Sequence, residues 1–572
     1  MIFPAVPGFL DRMQRSAARR LSRAPISCVL GIPVILAAVV YAPFFWGYWL
    51  SDDFGFLHQM WLATTSGELW TEAWRQFFGV DPAGVVFYRP MMIASVALNE
   101  WITGNDFAGW FGLNYLAHLA NAAMVALLVV RFARACDRDG RIAGVVAATF
   151  FALCPALAEG VFWIAARADA CVTLLTLVGV YSWASRPTST MHAAALPLLL
   201  FLALGFKESA TVFPLQMTLV ALAWPKRLSR AQILAVAACF VLAVLYFAVR
   251  AHFFGDFWRV YTRADTMPQI EELLLSVGSI GAWWTGLTRN TPIGATAYIG
   301  LSACALLLVA AGARGACARI AAALLCAFAG VIVATLLSVG EMAVSGEGGR
   351  LSYTPMAWFA LAIGVASSQP MQDADTDHVK PNYPRAGLAL LLCATIAGAW
   401  VLQGELRTVR SAQDMVRGIV RSLGGWAVMH PGLTLLLIEE NYGPVVATRN
   451  AQAWIALPPV QPTPQLDHVL PTLSKELIPR YDQLAAGLAT RLREIRPSRL
   501  DADELSRLFK RDAAHWPEHY ACWSVRAQRI VEIAEPDPGD PTRWTEALRG
   551  ALAQCAAGAL PEGQLSPRDA LG

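Results

Sequence analysis

ISCVLGIPVILAAVVYAPFFWGYWLSDD, residues 26–53, places two adjacent carboxylates immediately after the first long apolar run of the chain. The run is long enough to cross the hydrocarbon core of a bilayer, which needs about 20 apolar residues. Carboxylates beside a membrane span are costly to remove from water and commonly mark a functional site. Asp52 and Asp53 are therefore the first candidates for chemistry at the membrane surface.

The composition is that of a polytopic membrane protein. Of the 572 residues, 56% are hydrophobic and only 15% are charged, and the mean hydropathy is +0.45. The net charge is only +3, and the sequence has no basic face with interleaved aromatic residues, so we expect a lipid bilayer and not a nucleic acid as the partner. The sequence also lacks an Asn-x-Ser/Thr acceptor, which favours a bacterial plasma (inner) membrane.

The lengths of the apolar runs predict eleven transmembrane spans. They are placed at 26–50, 109–131, 141–160, 168–184, 191–206, 208–224, 231–253, 292–312, 317–340, 353–368 and 386–403. Residues 270–287 are left out of this set. If they cross the membrane, every later side assignment inverts.

Basic residues set the predicted orientation. Arginine and lysine are concentrated in segment 1–25 and in the loops at 131–141, 226–230 and 314–319, which the eleven spans place on one side. The positive-inside rule makes that side cytoplasmic. An odd number of spans then leaves the tail, residues 404–572, on the extracytoplasmic side.

The external segment 51–108 is predicted to form two interfacial helices. Residues 89–103 include Pro90, a favoured first helical residue, but reach only roughly 22 Å, short of the bilayer core. The second helix is indicated by apolar residues at helical spacing with polar residues between them. These are Leu69, Trp70, Ala73, Trp74, Phe77 and Phe78.

The tail, 404–572, gains proline and charged residues and loses long apolar runs. Residues 434–438 and 445–448 are predicted as strands, and 501–531 and 542–556 as helices. These elements indicate a small soluble α/β domain. The transmembrane domain, 26–403, would therefore lie between a cytoplasmic N-terminus, 1–25, and an outer domain.

Polar clusters follow the outer ends of the predicted spans. Besides Asp52 and Asp53 they are Tyr88 with Arg89; Glu159 with Arg167 and Asp169; Lys207 with Glu208; and Glu347 with Arg350 and Tyr353. Charges gathered on one side of a helical bundle indicate a shared cavity that opens to that side. Carboxylates suit acid–base chemistry, and the cations suit an anionic group.

The order of six motifs resembles a known family. The motifs are SDDFGFL (51–57), YRPMMIASVALNEWITG (88–104), GLNYLAHLAN (112–121), CPALAEGVFWIAARADACVTLLTL (154–177), FKESATVFPL (206–215) and RLSYTP (350–355). Together they resemble the transmembrane O-mannosyltransferases that usually carry tetratricopeptide repeats. More distantly, the chain is similar to the protein O-mannosyltransferases and the aminoarabinose transferase of lipid A. All belong to the GT-C class of helical membrane bundles, and the resemblance covers about 26–403.

The resemblance implies transfer of a sugar from a polyprenyl-phosphate donor to an external hydroxyl. It does not specify a cofactor. One aspartate of the first motif would act as general base, and Arg89, Lys207 and Arg350 would bind the donor phosphate. Direct displacement would invert the anomeric centre. The chain departs from the family pattern at Cys154 and Gly349, where histidine and glutamate are usual, and no tetratricopeptide array follows. The acceptor therefore stays open between a lipid, a glycan and a protein.

Individual roles have alternatives. Adjacent side chains in an extended segment face opposite ways, so only one aspartate can point into the cavity. We favour Asp52 as the base, while Asp53 caps the next helix or binds a divalent metal; the alternative is that both only cap that helix. Asp169 holds the acceptor or orients Arg167, or the two only form a salt bridge, and Glu159 has the same alternatives.

Three further residues have a structural alternative. Lys207 and Glu208 could simply pair with each other where two short spans meet. Arg89 could serve only to anchor lipid headgroups. His118, on an apolar helix, is expected to be a hydrogen-bonded packing residue.

Two other functions use the same features. A transporter or flippase for a lipid-linked sugar would also need a charged cavity, and it predicts broken helices at the midplane. A non-catalytic scaffold would predict that the charged clusters are dispensable. The eleven cysteines mostly lie within or beside apolar spans and are predicted to be small buried hydrophobes.

Overall fold

The computed structural model describes residues 26–50, 52–79, 88–186, 188–254, 301–307, 310, 315–339, 349–370, 383–429, 435–438, 519–524 and 529–533. Predictions for 1–25, 270–287, 445–448 and 542–556, and for most of 292–312, lie outside these residues.

The described chain is mostly helical. Its α-helices are α1 (Ile26–Tyr41), α2 (Asp53–Thr65), α3 (Leu69–Arg75), α4 (Pro90–Thr103), α5 (Phe107–Ala135), α6 (Arg141–Ala152), α7 (Ala158–Phe162), α8 (Arg167–Ser185), α9 (Thr190–Phe206), α10 (Phe213–Ala223), α11 (Arg230–Phe254), α12 (Gly315–Val339), α13 (Tyr353–Ala366) and α14 (Tyr383–Met429). Residues 301–307 are also helical.

Five helices of the described residues are long and apolar enough to cross a membrane. They are Phe107–Ala135, Ile164–Ser185, Arg230–Phe253, Gly315–Val333 and Ala386–Gly418. A sixth span results if Arg141–Ala152 and Pro155–Phe162, which meet at a 55° bend, are counted as one. The chain is thus a helical protein with several candidate membrane spans, as its hydropathy predicts.

Other predicted spans correspond to shorter helices. The run at 26–50 gives α1 and then a 3₁₀ turn at Ala42–Trp46. The run at 208–224 opens with a 3₁₀ turn at Glu208–Val212, so only the 11 residues of α10 are α-helical. At 1.5 Å per residue α10 reaches roughly 16 Å, about half a bilayer core. Lys207, just before this turn, has an extended backbone with φ −161° and ψ 142°, so the helical conformation is broken between α9 and the turn.

Helix α5 lies at the centre of the bundle. It packs against α1, α6, α8 and α13. Its large side chains Trp110, Phe111 and Phe132 are completely buried. Residues of this helix can therefore reach several neighbouring helices, which matters for the polar groups that it carries.

The predicted interfacial segment is helical where the apolar spacing places it. Helix α3 buries Leu69 and Ala73 and exposes Trp70 and Trp74. It packs against α4, where Trp101 is 65% exposed. Exposed indole rings beside apolar helices are typical of a segment at the membrane–water interface.

The basic loop after α5 is held by a two-stranded sheet. Strand β1 (Arg138–Asp139) pairs antiparallel with β2 (Gln369–Pro370). The guanidinium of Arg138 also donates to the Ser368 carbonyl at 3.0 Å. These bonds join the end of α5 to the end of α13.

The tail begins as a helix, because α14 continues to Met429 past the predicted span end at 403. Beyond it, β3 (Leu435–Ile438) pairs in parallel with β4 (His519–Ser524), and β4 pairs antiparallel with β5 (Arg529–Ile533). The strand predicted at 434–438 is therefore present over its described residues, Leu435–Ile438. The helix predicted over 501–531 is wrong at 519–524 and 529–531, where β-branched and aromatic residues form strands.

The chain divides into two compact units. The first comprises Met1–Trp46 and Ala63–Leu406, and the second comprises Gly47–Leu62 and Arg407–Gly572. Asp52 and Asp53 belong to the second unit. The other predicted site residues belong to the first.

Candidate functional site

The first unit contains three ion pairs between predicted site residues. We call them the ion-pair cluster, and they are Arg89–Glu208, Lys207–Asp169 and Arg350–Glu159. Each pair joins parts of the chain that are far apart in sequence. Six predicted residues are thus brought together in pairs by the fold.

Arg89 and Glu208 form a bidentate pair. Nε of Arg89 lies 3.0 Å from Oε2 of Glu208, and Nη2 lies 2.6 Å from Oε1. The guanidinium of Arg89 thus binds both oxygens of the Glu208 carboxylate, the bidentate geometry that arginine forms with carboxylates. Arg89 remains 18% exposed at its side chain, so a ligand can approach it.

Lys207 and Asp169 form the most buried pair. Nζ of Lys207 lies 2.7 Å from each carboxylate oxygen of Asp169. Both residues are only 5% exposed. The extended backbone at Lys207 directs its side chain to α8, while the next residue, Glu208, pairs with Arg89. The alternative in which Lys207 and Glu208 pair with each other is therefore wrong.

Arg350 is bound to Glu159 by backbone and side chain. The Arg350 N–H donates to Oε2 at 2.8 Å, and Nη1 donates to Oε1 of the same carboxylate. The guanidinium lies 4.5 Å from the ring centroid of Trp163, a cation–π distance. Glu159 is 3% exposed, whereas the Arg350 side chain is 21% exposed. Arg350 thus presents a cation that is partly accessible.

Two glycines allow this close packing. A Cβ atom on Gly349 would lie 2.7 Å from the Ala156 carbonyl oxygen, and one on Gly160 would lie 2.6 Å from the Tyr353 ring. Both distances are shorter than real Cβ contacts. At Gly349 the local backbone therefore leaves no room for a larger side chain such as glutamate.

Arg167 does not bind Asp169, which is engaged by Lys207. Its Nε donates to Oδ1 of Asn114 at 2.9 Å, and Nη2 donates to the Trp110 carbonyl at 2.9 Å. Nη1 lies 3.2 Å from the Ser95 carbonyl. Arg167 is completely buried and joins α4, α5 and α8. The predicted Arg167–Asp169 salt bridge is therefore wrong, and the bonds of Arg167 are structural.

A polar stripe on α5, formed by Asn114, His118 and Asn121, was not predicted as part of the site. Asn114 donates to the Trp163 carbonyl at 3.0 Å, and Asn121 donates to the Ala170 carbonyl at 2.9 Å. Inside a membrane, the backbone of broken helices must be satisfied by protein groups. The stripe supplies such groups at and just after the 55° bend between Arg141–Ala152 and Pro155–Phe162. The i, i+4, i+7 spacing places all three residues on one helix face and is the signal that identifies them.

His118 connects the stripe to Tyr353. Its Nε2 lies 3.1 Å from the Ala152 carbonyl, and its Nδ1 lies 2.6 Å from the Tyr353 hydroxyl. A carbonyl only accepts, so Nε2 carries the proton and Nδ1 accepts from the tyrosine. Ala152 ends α6, where the helix has no backbone donor for its last carbonyls. His118 is a hydrogen-bonded packing residue, as expected.

Tyr88 is occupied by packing. Its hydroxyl donates to the Phe77 carbonyl at 3.2 Å, and its ring stacks on Phe253. The Tyr246 hydroxyl donates to the Tyr88 carbonyl at 3.3 Å. These contacts fix the backbone just before Arg89, so Tyr88 orients the arginine.

In the second unit, Asp52 and Asp53 differ in environment. Asp53 is 1% exposed, and its Oδ2 accepts the Leu50 N–H at 3.2 Å. Asp52 is half-buried, and its carbonyl accepts the first backbone bond of α2 from Gly55 at 3.0 Å. Asp53 therefore fastens the start of α2 to the preceding backbone. Of the two carboxylates, Asp52 is the more accessible.

Metal binding stays a prediction. Among the described residues, no three histidine, cysteine, aspartate or glutamate side chains are grouped as metal ligands. Asp52 and Asp53 provide at most two carboxylate ligands, and one oxygen of Asp53 is already bonded to Leu50. A metal here would need further ligands from a substrate or water.

The geometry decides which chemistry the first unit supports. Two guanidinium groups are partly exposed; that of Arg350 is bound to a buried carboxylate and that of Arg89 to a partly buried one. Arginine binds phosphate through the same planar donors that bind a carboxylate, so an entering phosphate can replace the carboxylate partner. No protein-family model matches the chain, and no curated protein matches it.

Proposed function

We propose that this protein is a membrane glycosyltransferase of the GT-C class, which transfers a sugar from a polyprenyl-phosphate donor to a hydroxyl outside the membrane. The observation that carries the proposal is the ion-pair cluster. Charges held among apolar helices are energetically expensive and mark functional sites by default. A lipid phosphate is the anion that a bilayer presents to such cations.

The proposed architecture follows the predicted topology. About eleven spans place the N-terminus in the cytoplasm and residues 404–572 outside a bacterial plasma membrane, as a small α/β domain. The five candidate spans and the bent pair support a multi-pass chain. The basic loops support the orientation.

In the proposed reaction, Asp52 accepts the proton of the acceptor hydroxyl. The hydroxyl oxygen attacks the anomeric carbon as the bond from that carbon to the phosphate oxygen breaks. The polyprenyl phosphate leaves as a stable anion and needs no acid. Cations that stabilise its growing charge lower the barrier most, and the attack inverts the anomeric centre.

The three cations differ in how readily they can bind phosphate. When the Arg350 guanidinium moves, Glu159 keeps the bond from the Arg350 backbone N–H. Asp169, in contrast, accepts bonds from Lys207 at both of its carboxylate oxygens. Exchange of a partner is therefore least costly at Arg350. Arg350 and the partly exposed Arg89 would contact the phosphate, while Lys207 would fix Asp169 beside the acceptor.

The test is mass spectrometry of envelope lipids, glycans and proteins from cells with and without the gene. A hexose or aminosugar mass should be lost from one class and restored by the wild-type gene. Arg350→Gln should restore it poorly at equal expression. Identical spectra in all three classes, with and without the gene, would contradict the proposal.

A lipid-linked sugar transporter is the second candidate, because the 55° bend between Arg141–Ala152 and Pro155–Phe162 resembles the broken helices of transporters. Proteoliposomes that contain a polyprenyl-phosphate sugar separate the two functions. A transferase releases the sugar to an acceptor. A transporter moves the intact donor between leaflets.

A further inference from the structure

The helix that begins the tail is bonded to the backbone that leads to Asp52. Beyond the predicted span end at 403, α14 becomes strongly charged, with the sequence GELRTVRSAQDMVR at 404–417. Gln413 and Arg417 lie one turn apart on this part of the helix. Both donate to residues 47–48, just before the two aspartates. All of these residues belong to the second unit.

Residues 47–50 need such donors because they form neither a helix nor a strand. They are buried or half-buried, and backbone carbonyls removed from water need a hydrogen-bond partner. Nε2 of Gln413 donates to the Tyr48 carbonyl at 2.8 Å, and Nη2 of Arg417 donates to the Gly47 carbonyl at 2.7 Å. Two consecutive carbonyls are thus bonded to side chains of α14.

The two donors are themselves held in place. Gln413 is only 1% exposed, and its amide nitrogen must face Tyr48 because a carbonyl only accepts. The Arg417 guanidinium also donates to Asp414 at 3.1 Å. It lies 5.3 Å from the ring centroid of Tyr48, a cation–π distance. The backbone and the ring of Tyr48 therefore both contact α14.

The constraint continues from Tyr48 to the aspartates. The Tyr48 ring makes an edge contact with Phe54, with ring centroids 6.2 Å apart. Between these rings, the Asp53 N–H donates to the Leu50 carbonyl at 3.0 Å, and the Asp53 carboxylate accepts from the Leu50 N–H at 3.2 Å. Asp52 lies within this turn. Its direction therefore depends on backbone that α14 bonds.

We propose that Gln413 and Arg417 are positioning residues that fix the direction of Asp52, which gives the first part of the tail a role in catalysis. This inference rests on the proposed function, in which Asp52 is the general base. A base must lie within hydrogen-bond reach of the proton that it takes. A displacement of about 1 Å lowers the rate by roughly 10²-fold. Neither positioning residue touches the substrate.

The first measurement needs no substrate. Gln413→Glu keeps the shape of the side chain but places an acceptor against the Tyr48 carbonyl. Amide hydrogen exchange of the purified full chain in detergent is read by mass spectrometry. Exchange over residues 47–57 should become faster by about tenfold, while exchange in α5 stays unchanged.

Arginine variants supply the matched comparison. Arg417→Met should accelerate exchange over residues 47–57, and Arg417→Lys, which keeps a donor, should recover part of the effect. Arg410→Met is the control, because Arg410 is exposed on the same helix, and it should leave exchange unchanged. Unchanged exchange in both Gln413→Glu and Arg417→Met would overturn the inference.

The second measurement is sugar transfer at equal folded fractions. Gln413→Glu should lower kcat by roughly 10²-fold with an unchanged KM for the donor. Because its effect passes through Asp52, it should slow Asp52→Asn much less than it slows the wild type. Faster exchange with a wild-type kcat would overturn the positioning role and leave the proposed function intact. A wild type that transfers no sugar would overturn the proposed function and, with it, the catalytic role of α14, while the exchange data would still decide whether α14 holds residues 47–57.

Discussion

Lys207 and Glu208 are neighbours in the chain, yet each forms its ion pair with a residue of a different segment. Lys207 bonds both oxygens of Asp169 on α8, and Glu208 accepts two bonds from Arg89. The extended backbone at Lys207 makes this possible because consecutive side chains then point in opposite directions. One break between helices therefore connects two of the three ion pairs.

Removing one partner of the buried pair should be costly. Lys207→Met leaves the Asp169 charge buried without its cation, and we expect a loss of about 3–5 kcal/mol of unfolding free energy. The measurement is unfolding of the purified protein in detergent, followed by tryptophan fluorescence. The paired change Lys207→Met with Asp169→Leu should recover part of the loss.

The matched control is Asp414→Asn, which removes a carboxylate whose side chain is 60% exposed. Exposed pairs contribute about 0–1 kcal/mol. Equal effects of Lys207→Met and Asp414→Asn would show that burial does not strengthen the Lys207–Asp169 pair.

Glu208→Gln should weaken the fold because it removes the charged partner of the Arg89 guanidinium. The Glu208 side chain is only 14% exposed, so the bonds between the two groups are largely shielded from water. Hydrogen bonds to charged groups contribute about 1.5–3 kcal/mol, and we expect a loss of unfolding free energy in that range.

Unfolding of the wild type and of Glu208→Gln in detergent measures this difference. Glu68→Gln is the control, since the Glu68 side chain is 52% exposed. If Glu208→Gln costs no more stability than Glu68→Gln, the Arg89–Glu208 assignment is wrong.

Much of the helical framework could be predicted from apolar run length alone. The span predicted at 231–253 and the observed helix Arg230–Phe254 nearly coincide because nothing interrupts the run. The run at 208–224 failed as a continuous helix because Lys207 and Glu208 each reach a partner elsewhere. Hydropathy contains no information on such partners.

The members of the site were easier to predict than their partners. Charged residues next to apolar runs can be recognised from the sequence alone, as Glu159 and Arg350 were. Which cation faces which carboxylate depends on tertiary packing. Arg167 and Asp169 are close in sequence, yet Asp169 binds Lys207 instead. The role of Gly349 was also hidden, because only the observed approach of the Ala156 carbonyl explains it.

Gly349→Ala should disturb Arg350 without changing any charge. The new Cβ would lie 2.7 Å from the Ala156 carbonyl oxygen, so one backbone segment must shift. Overpacking of this kind typically costs about 1–3 kcal/mol. We expect that loss in unfolding free energy, together with weaker binding of a polyprenyl phosphate measured by native mass spectrometry.

Gly404→Ala is the matched control for Gly349→Ala. Gly404 is helical, and a Cβ there meets nothing within 4 Å. Alanine should stabilise this helix by up to about 1 kcal/mol. If both variants behave alike, the close approach at Gly349 has no energetic consequence.

Tyr353→Phe should reveal the hydrogen bond to His118. Without the hydroxyl, the buried Nδ1 of His118 loses its donor, which costs about 1–3 kcal/mol. In a double-mutant cycle with His118→Leu, the coupling energy should be about 0.5–3 kcal/mol. Tyr115→Phe is the control, because the Tyr115 hydroxyl donates to a carbonyl of α1. A coupling near zero would contradict the hydrogen bond between Tyr353 and His118.

Substitutions at Asp52 and Asp53 should have different effects, the first on the rate of sugar transfer and the second on the free energy of unfolding. If Asp52 is the general base, Asp52→Asn should lower the rate of sugar transfer by about 10²–10⁴ with little change in unfolding free energy. Asp53→Ala removes the acceptor of the Leu50 N–H and should cost about 0.5–2 kcal/mol, as loss of a helix cap does. Asp53→Asn keeps an acceptor oxygen and should retain most of that stability. Transfer assays and unfolding on the same preparations make the comparison, with both variants brought to equal folded fractions. If Asp52→Asn transfers at the wild-type rate while Asp53→Asn is inactive and stable, the base is Asp53 and the roles of the two aspartates are reversed.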